Sequence, residues 1–143
     1  MGAFDIFKIS ASGMKAQRTR MEVVASNLSN VHTTSTDEGG PYRKKDVVFK
    51  AIDVSEDKSF GGTLSKKIEG VKAESIQESE KPMQKVFSPS HPDADEEGYV
   101  TYPNVNLMEE MTDMVAATRA YEANVNVLNT TKDMFLKTLD LIK

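Results

Sequence analysis

Two apolar stripes with the spacing of an α-helix, one toward each end of the chain, constrain this sequence more than any other feature. Phe4, Phe7, Ala11, Met14, Met21, Ala25 and Leu28 alternate by threes and fours, with Arg18 the one polar interruption and Val24 and Val31 widening the stripe. That spacing puts one apolar face on a single long helix. In the second stripe Leu107, Met111, Met114, Tyr121, Val125, Leu128, Phe135, Leu139 and Ile142 keep phase, with Thr118 and Lys132 as polar exceptions. Asn106 stands where an N-cap belongs and Glu109 follows three residues later, the spacing of a capping box. Glu109, Glu110 and Asp113 complement the positive end of the helix dipole, and Lys132, Lys137 and Lys143 lie toward its negative end.

Between the stripes the period changes. "SNVHTTSTDEGGPYRKK" is dense in Asn, Ser, Thr, Gly and Pro and predicts a long connecting loop. "DVVFKAIDV", "GGTLSKKIEGVKAESIQES", "MQKVF" and "GYVTY" predict four short strands, because β-branched and aromatic residues alternate there between turn signals. Leu64, Ile68, Val71, Ala73 and Ile76 carry the alternation in the second of these. The expected fold is therefore α+β and mainly α. Long antiparallel N- and C-terminal helices form a coiled-coil-like pair, with a small β-rich middle subdomain at the end away from the termini. The expected divisions are a helix over 1–31, a loop over 32–45, a β subdomain over 46–103 and a second helix over 104–143.

An antiparallel pair within one chain is the simplest cover for the two stripes. Two features go beyond it. At about 1.5 Å per residue the second helix is roughly a dozen ångströms longer than the first, so part of its stripe has no cover inside the chain. Its other faces hold Ala116, Ala117, Ala120, Ala123, Asn124, Asn126, Asn129, Thr130 and Thr131, whereas a solvated coiled-coil exterior is rich in Glu and Lys. Small and neutral polar faces suit close packing against further helices, and Ala11, Ala16 and Ala25 repeat the theme on the first helix. The sequence thus implies an assembly in which copies or relatives cover the remaining surface.

Other functions find little support. The formal net charge is −4, without the basic surplus of nucleic-acid binders. Cysteine is absent, which removes disulfides, thiol nucleophiles and thiolate metal sites. "MGAFDIFKIS" has no basic start followed by an apolar core and cleavage site, so a cleaved secretory leader is not expected there, and no run approaches the roughly 20 apolar residues of a membrane span. "DADEEG" sets Asp93, Asp95, Glu97 and Gly98 at the first, third, fifth and sixth places of an EF-hand-like loop, but Asn104 occupies the twelfth place and Pro89 and Pro92 interrupt any preceding helix. It reads as an acidic turn. His32 and His91 stand in separate polar loops without local partners, and no catalytic residue, cofactor or metal site is expected.

"ASNLSNVHTT" after an apolar helix resembles the N-L-x-N-x-x-T signature of the axial proteins of the bacterial flagellar rod and hook. The stretch from "HPDADEEGYVTYPNVNLMEEM" through "TRAYEANVNVLNTTKDMFLKTLDLI" resembles the C-terminal half of the proximal rod members of that family. "FSPSHP" carries Ser88 where the family pattern has Asp. The resemblance implies a structural subunit of the flagellar basal body. Its terminal helices would line a tubular rod, its middle segment would project outward, and export would run through the flagellum's own type III apparatus. Implied partners are further copies, other rod proteins, a rod-base adaptor and the export apparatus, with no nucleic acid and no embedding in membrane. The match falls on Asn27, Leu28, Asn30 and Thr33, on Tyr102, Pro103, Asn104, Val105 and Asn106, and on Arg119, Tyr121, Asn124 and Leu128.

Joining pattern and resemblance, the expected assembly interface comprises Phe4, Phe7, Met14, Met21, Asn27, Leu28 and Asn30 on the first helix. On the second it comprises Met111, Met114, Tyr121, Asn124, Val125, Leu128, Lys132, Phe135, Leu139 and Ile142. Lys132, alone at an apolar seam position, is the expected determinant of register. From composition alone the competing function is a soluble coiled-coil adaptor or chaperone-like binder with a β insert.

Overall fold

A computed structural model describes residues 3–53 and 69–141. The order of elements is α1 (Ala3–Ser29), β1 (Lys45–Asp53), β2 (Glu69–Glu78), β3 (Gln84–Phe87), β4 (Tyr99–Tyr102) and α2 (Leu107–Asp140). Leu64 and Ile68, expected in the second strand, lie outside the described residues. The N-cap forms as its sequence implies, with Asn106 Oδ1 accepting from the backbone N–H of Met108 at 3.0 Å and of Glu109 at 3.4 Å. This satisfies two of the amides that a helix start leaves unpaired.

The two long helices run antiparallel. Asn27 meets Glu110, Arg20 meets Asp113, Met21 meets Thr118 and Gly13 meets Asn124. With α1 at 27 residues and α2 at 34, this register leaves the last turns of α2 beyond the start of α1. Those turns are bare, and Met134, Phe135, Leu136, Leu139 and Leu141 are all exposed.

The face joining the helices differs from the one that periodicity suggests. Gly13 has no room for a side chain, since a Cβ there would stand 2.9 Å from the Asn124 amide nitrogen. Arg20 donates to Asp113 at 2.6 Å, and Ala117 is fully buried. Small and polar residues therefore share this contact with the half-buried seam residues. Of the expected α1 seam, Phe7, Met14, Met21 and Leu28 are half-buried, whereas Phe4, Ala11, Arg18 and Ala25 are exposed. The enclosed residues of α1 are instead Ser10, Ala16, Val23, Val24 and Asn27.

The strands form two separate antiparallel ribbons, β1–β2 and β3–β4, rather than one sheet with its own core. A pair of strands buries too little by itself to be stable, and β1–β2 gains its cover by lying along α1. Ser12 Oγ accepts from the Val71 backbone N–H at 3.2 Å, well along the helix from the junction. The ribbon therefore follows α1 instead of gathering at the far end of the molecule. Its register slips between Val48 and Phe49, which pair with Ser75 and Ala73, so Glu74 is the extra residue of a bulge.

Candidate assembly surfaces and the junction that orients them

Where α1 ends, a buried polar cluster fixes how helices and ribbons meet. Asn27 is 1% exposed and uses every hydrogen-bonding position an asparagine owns. Its Nδ2 donates to the Lys45 carbonyl and to Glu110 Oε2, both at 2.9 Å. Its Oδ1 accepts from the Tyr42 hydroxyl at 3.0 Å and from the Lys45 backbone N–H at 2.9 Å. Aspartate has no donor for this arrangement and leucine has neither donor nor acceptor. Asn30 Nδ2 then donates to the Ser26 carbonyl at 2.9 Å, a carbonyl that also accepts from the Asn30 backbone N–H at 3.2 Å, and Asn30 Oδ1 accepts from Thr33 Oγ1 at 3.1 Å. The Tyr42 backbone N–H donates to the Thr33 carbonyl at 3.0 Å and closes the loop back onto the helix. Asn27, Asn30 and Thr33 of the N-L-x-N-x-x-T stretch thus make a clamp within the subunit.

Glu110 completes the cluster. It is 1% exposed, and the Lys44 ammonium stands 2.7 Å from its Oε1. Burial by itself lowers the Lys44 pKa, but the hydrogen bond to Glu110 and the negative charges of Glu110, Asp46 and Glu109 outweigh it and hold the pKa above the ordinary lysine value. Asn104 ties in the remaining segments. Its Oδ1 accepts from the Lys44 backbone N–H at 2.9 Å, and its Nδ2 donates to the Lys81 carbonyl at 2.8 Å. The helix-dipole role read from sequence for Glu110 therefore understates it, because its side chain is turned inward against Asn27 and Lys44. Lys44 and Tyr42 escaped sequence reasoning altogether: a lysine in a polar loop carries no pattern that announces burial, and its partner lies far away in the chain.

The expected interface residues fall into three groups. Asn27 is enclosed in the junction. Phe7, Met14, Met21 and Leu28 on α1 and Asn30 just beyond its end, with Met114, Tyr121, Asn124, Val125 and Leu128 on α2, are half-buried. Phe4, Met111, Lys132, Phe135 and Leu139 are exposed, and Ile142 lies outside the described residues. Sequence periodicity missed several outward apolar residues on α2, among them Met108 at 70% exposure, Val115, Val127 and Met134. Met108, Met111 and Val115 fall at i, i+3 and i+7 and so share one stripe. Together with the bare end of α2 they form a run of exposed apolar side chains along this helix, the kind of surface that marks an interaction site.

The β3–β4 ribbon carries its own apolar side. Phe87 and Tyr99 stack edge to face with ring centroids 5.3 Å apart, and both are exposed. The intervening acidic stretch folds on itself: Asp95 Oδ1 accepts from the backbone N–H of Glu97 at 3.1 Å and of Tyr99 at 2.8 Å, and Gly98 takes a φ of +82°. Asp93 Oδ2 accepts from Thr34 Oγ1 at 2.6 Å. These carboxylates close turns and fasten the ribbon to the connecting loop. Among the described residues no group of three or more His, Asp or Glu side chains is placed to hold a metal ion, and no helix is long and apolar enough to cross a membrane.

Two family models match the chain. The flagella basal body rod protein model matches residues 7–35, which hold all but the first turn of α1 together with Asn27, Asn30 and Thr33 of the clamp. The flagellar basal body rod FlgEFG protein C-terminal model matches residues 96–141, from the acidic turn through α2. Among curated relatives, the flagellar basal-body rod protein FlgC of Borreliella burgdorferi is 39% identical, over all of this chain and 99% of its own length. The FlgC protein of Salmonella typhimurium is 43% identical over 99% of this chain and 98% of its own, and that of Bacillus subtilis is 42% identical over the full length of both. With this similarity running end to end, through both helices and the ribbons between them, the chain belongs to the FlgC family of flagellar basal-body rod proteins.

Proposed function

We propose that the chain is a structural subunit of the proximal rod, polymerising through its terminal helices into a tubular drive shaft that transmits torque and surrounds the export channel. One observation carries this reading: α2 leaves Met108, Met111, Val115 and its last turns exposed, an apolar surface that no described residue of the chain covers. A closed adaptor would instead use its apolar residues to seal its own helix pair. Here small and polar residues do part of that work, and Met108, Met111, Val115 and the last turns of α2 remain exposed for neighbours. Under this proposal those neighbours are further copies, other rod proteins and a rod-base adaptor. The subunit reaches them through the flagellar type III apparatus across the inner membrane.

The test is replacement of Phe135 and Leu139 by alanine in cells whose only copy of this subunit is the variant. Burying each such side chain contributes about 1.5–3 kcal/mol, so several kcal/mol of assembly energy are lost. Swimming should fail and isolated basal bodies should lack a complete rod, while circular dichroism of the purified protein stays unchanged. Normal swimming by the double variant overturns the proposal. Lys132→Leu, which removes the lone charge from the seam, should leave folding intact, increase nonspecific self-association in sedimentation and impair incorporation.

A further inference from the structure

Between α1 and the β1–β2 ribbon runs a half-open trough of about 470 Å³, floored by Ala16 of α1 and by Ile52, Val71, Ala73 and Ile76 of the ribbon. We infer that this trough is a docking slot for the overhanging end of α2 from a second copy of the chain. The inference rests on the rod reading and assigns it a specific contact between subunits.

The two surfaces match in chemistry. The slot is apolar, and Lys15 and Lys72 stand exposed on its rim. Glu74, the rim's acid, is held by Lys50 at 2.6 Å, so the uncompensated charge there is positive. On the overhang, Asp133, Leu136 and Asp140 fall at i, i+3 and i+7 on one stripe with Leu139 beside it, and all four are exposed. Among the described residues no hydrogen bond or ion pair engages the side chains of Lys15, Lys72, Asp133 or Asp140. An apolar helix face flanked by two carboxylates thus fits an apolar trough flanked by two ammonium groups, the helix-in-groove mode of recognition.

The chain cannot fill its own slot. The pairing of Asn27 with Glu110 and of Gly13 with Asn124 sets the helix register, and in that register the overhang projects past the start of α1, away from Ser12–Thr19. The occupant is therefore another copy. Slot and plug are different surfaces, so the contact is head to tail and propagates, as a filament requires, instead of closing into a two-fold dimer. Plug and slot are separated along the helix axis by about 15 residues of helical rise, roughly 22 Å, which sets the axial offset between neighbours that point the same way.

The chain has no cysteine, so engineered thiols report cleanly. A chain carrying both Ala73→Cys and Leu136→Cys, supplied as the only copy in flagellated cells, should give a ladder of disulfide-linked multimers when isolated basal bodies are oxidised. The pair Ala73→Cys with Val115→Cys should stay monomeric. In parallel, Lys15→Glu with Lys72→Glu should reduce incorporation into basal bodies at least tenfold, and adding Asp133→Lys with Asp140→Lys should restore it to within about threefold. A cysteine pair that incorporates and supports swimming without cross-linking overturns the slot and leaves the rod reading intact. So does a charge-reversed chain that folds, by circular dichroism, yet is not restored. If the unmodified chain is missing from the basal body, the rod reading falls and the slot with it.

Discussion

Glu110→Ala is the perturbation whose size follows most directly from the geometry. The carboxylate is 1% exposed and has two partners, Lys44 Nζ at 2.7 Å and Asn27 Nδ2 at 2.9 Å. Removing one member of a buried ion pair commonly costs about 3–5 kcal/mol, because the other charge is left uncompensated. The orphaned Asn27 donor adds about 1 kcal/mol or more. Lys44 softens the loss, since its ammonium is 3.6 Å from the exposed Asp46 and can swing toward it and toward water. The expected cost is therefore about 3 kcal/mol, a large part of the roughly 5–15 kcal/mol that stabilises a domain. At about 2–4 °C per kcal/mol for a chain near this size, the melting temperature should fall by about 6–12 °C. Urea titration followed by far-ultraviolet circular dichroism gives the free energy. The double variant Glu110→Leu with Lys44→Met removes both charges and should recover most of the loss, to within about 1 kcal/mol of the parent. If Glu110→Ala costs less than about 1 kcal/mol, or the double variant is as unstable as the single one, the junction is not the structural clamp described above.

Tyr42→Phe should cost about 1 kcal/mol in the same titration, because Asn27 Oδ1 loses the 3.0 Å hydroxyl donor while keeping the Lys45 amide. Gly13→Ala, which in an open helix stabilises by about 1 kcal/mol, should show no gain here because its Cβ meets the Asn124 amide at 2.9 Å; combining it with Asn124→Ala should bring the gain back. The Lys44 pKa is raised on folding, so its contribution is complete below the ordinary value of 10.5 and is lost as pH climbs through the higher folded value. Alkaline titration should therefore destabilise the parent above about pH 10.5, and Lys44→Met should abolish that part of the slope.

Helices, their direction and the extra length of the second one were all legible in the sequence, because a heptad-phased stripe needs only local chemistry to be recognised. Which neighbour covers the stripe is not local information. Phe4, Ala11, Arg18 and Ala25 share one heptad position and look like core, yet the structure turns them outward. Gly13, Arg20 and Asn27, also spaced by sevens, make the contact with α2 instead. Small and polar residues carry no hydrophobic signal, so periodicity could not select them. The signature residues were recognisable by resemblance, but their work was hidden: Asn27 needs Glu110 opposite it, a partner separated by most of the chain. The ribbons were foreseen as strands and not as two pieces, since alternation marks a strand without naming what it packs against.

The polar clamp sits at only one end of the helix pair, and that asymmetry has a mechanical consequence. Asn27, Lys44, Asn104 and Glu110 lock both helices and the incoming ribbons into a joint with almost no freedom to shear. Toward the other end the helices meet through packing such as Gly13 against Asn124, without a buried polar cluster of this kind among the described residues, and finally α2 runs on alone. The subunit is thus a pair of tongs, rigid at the rivet and increasingly compliant toward its tips. Its tips are the part with latitude to adjust to differing neighbours, while the rivet keeps the β1–β2 ribbon at a fixed angle to the helix pair.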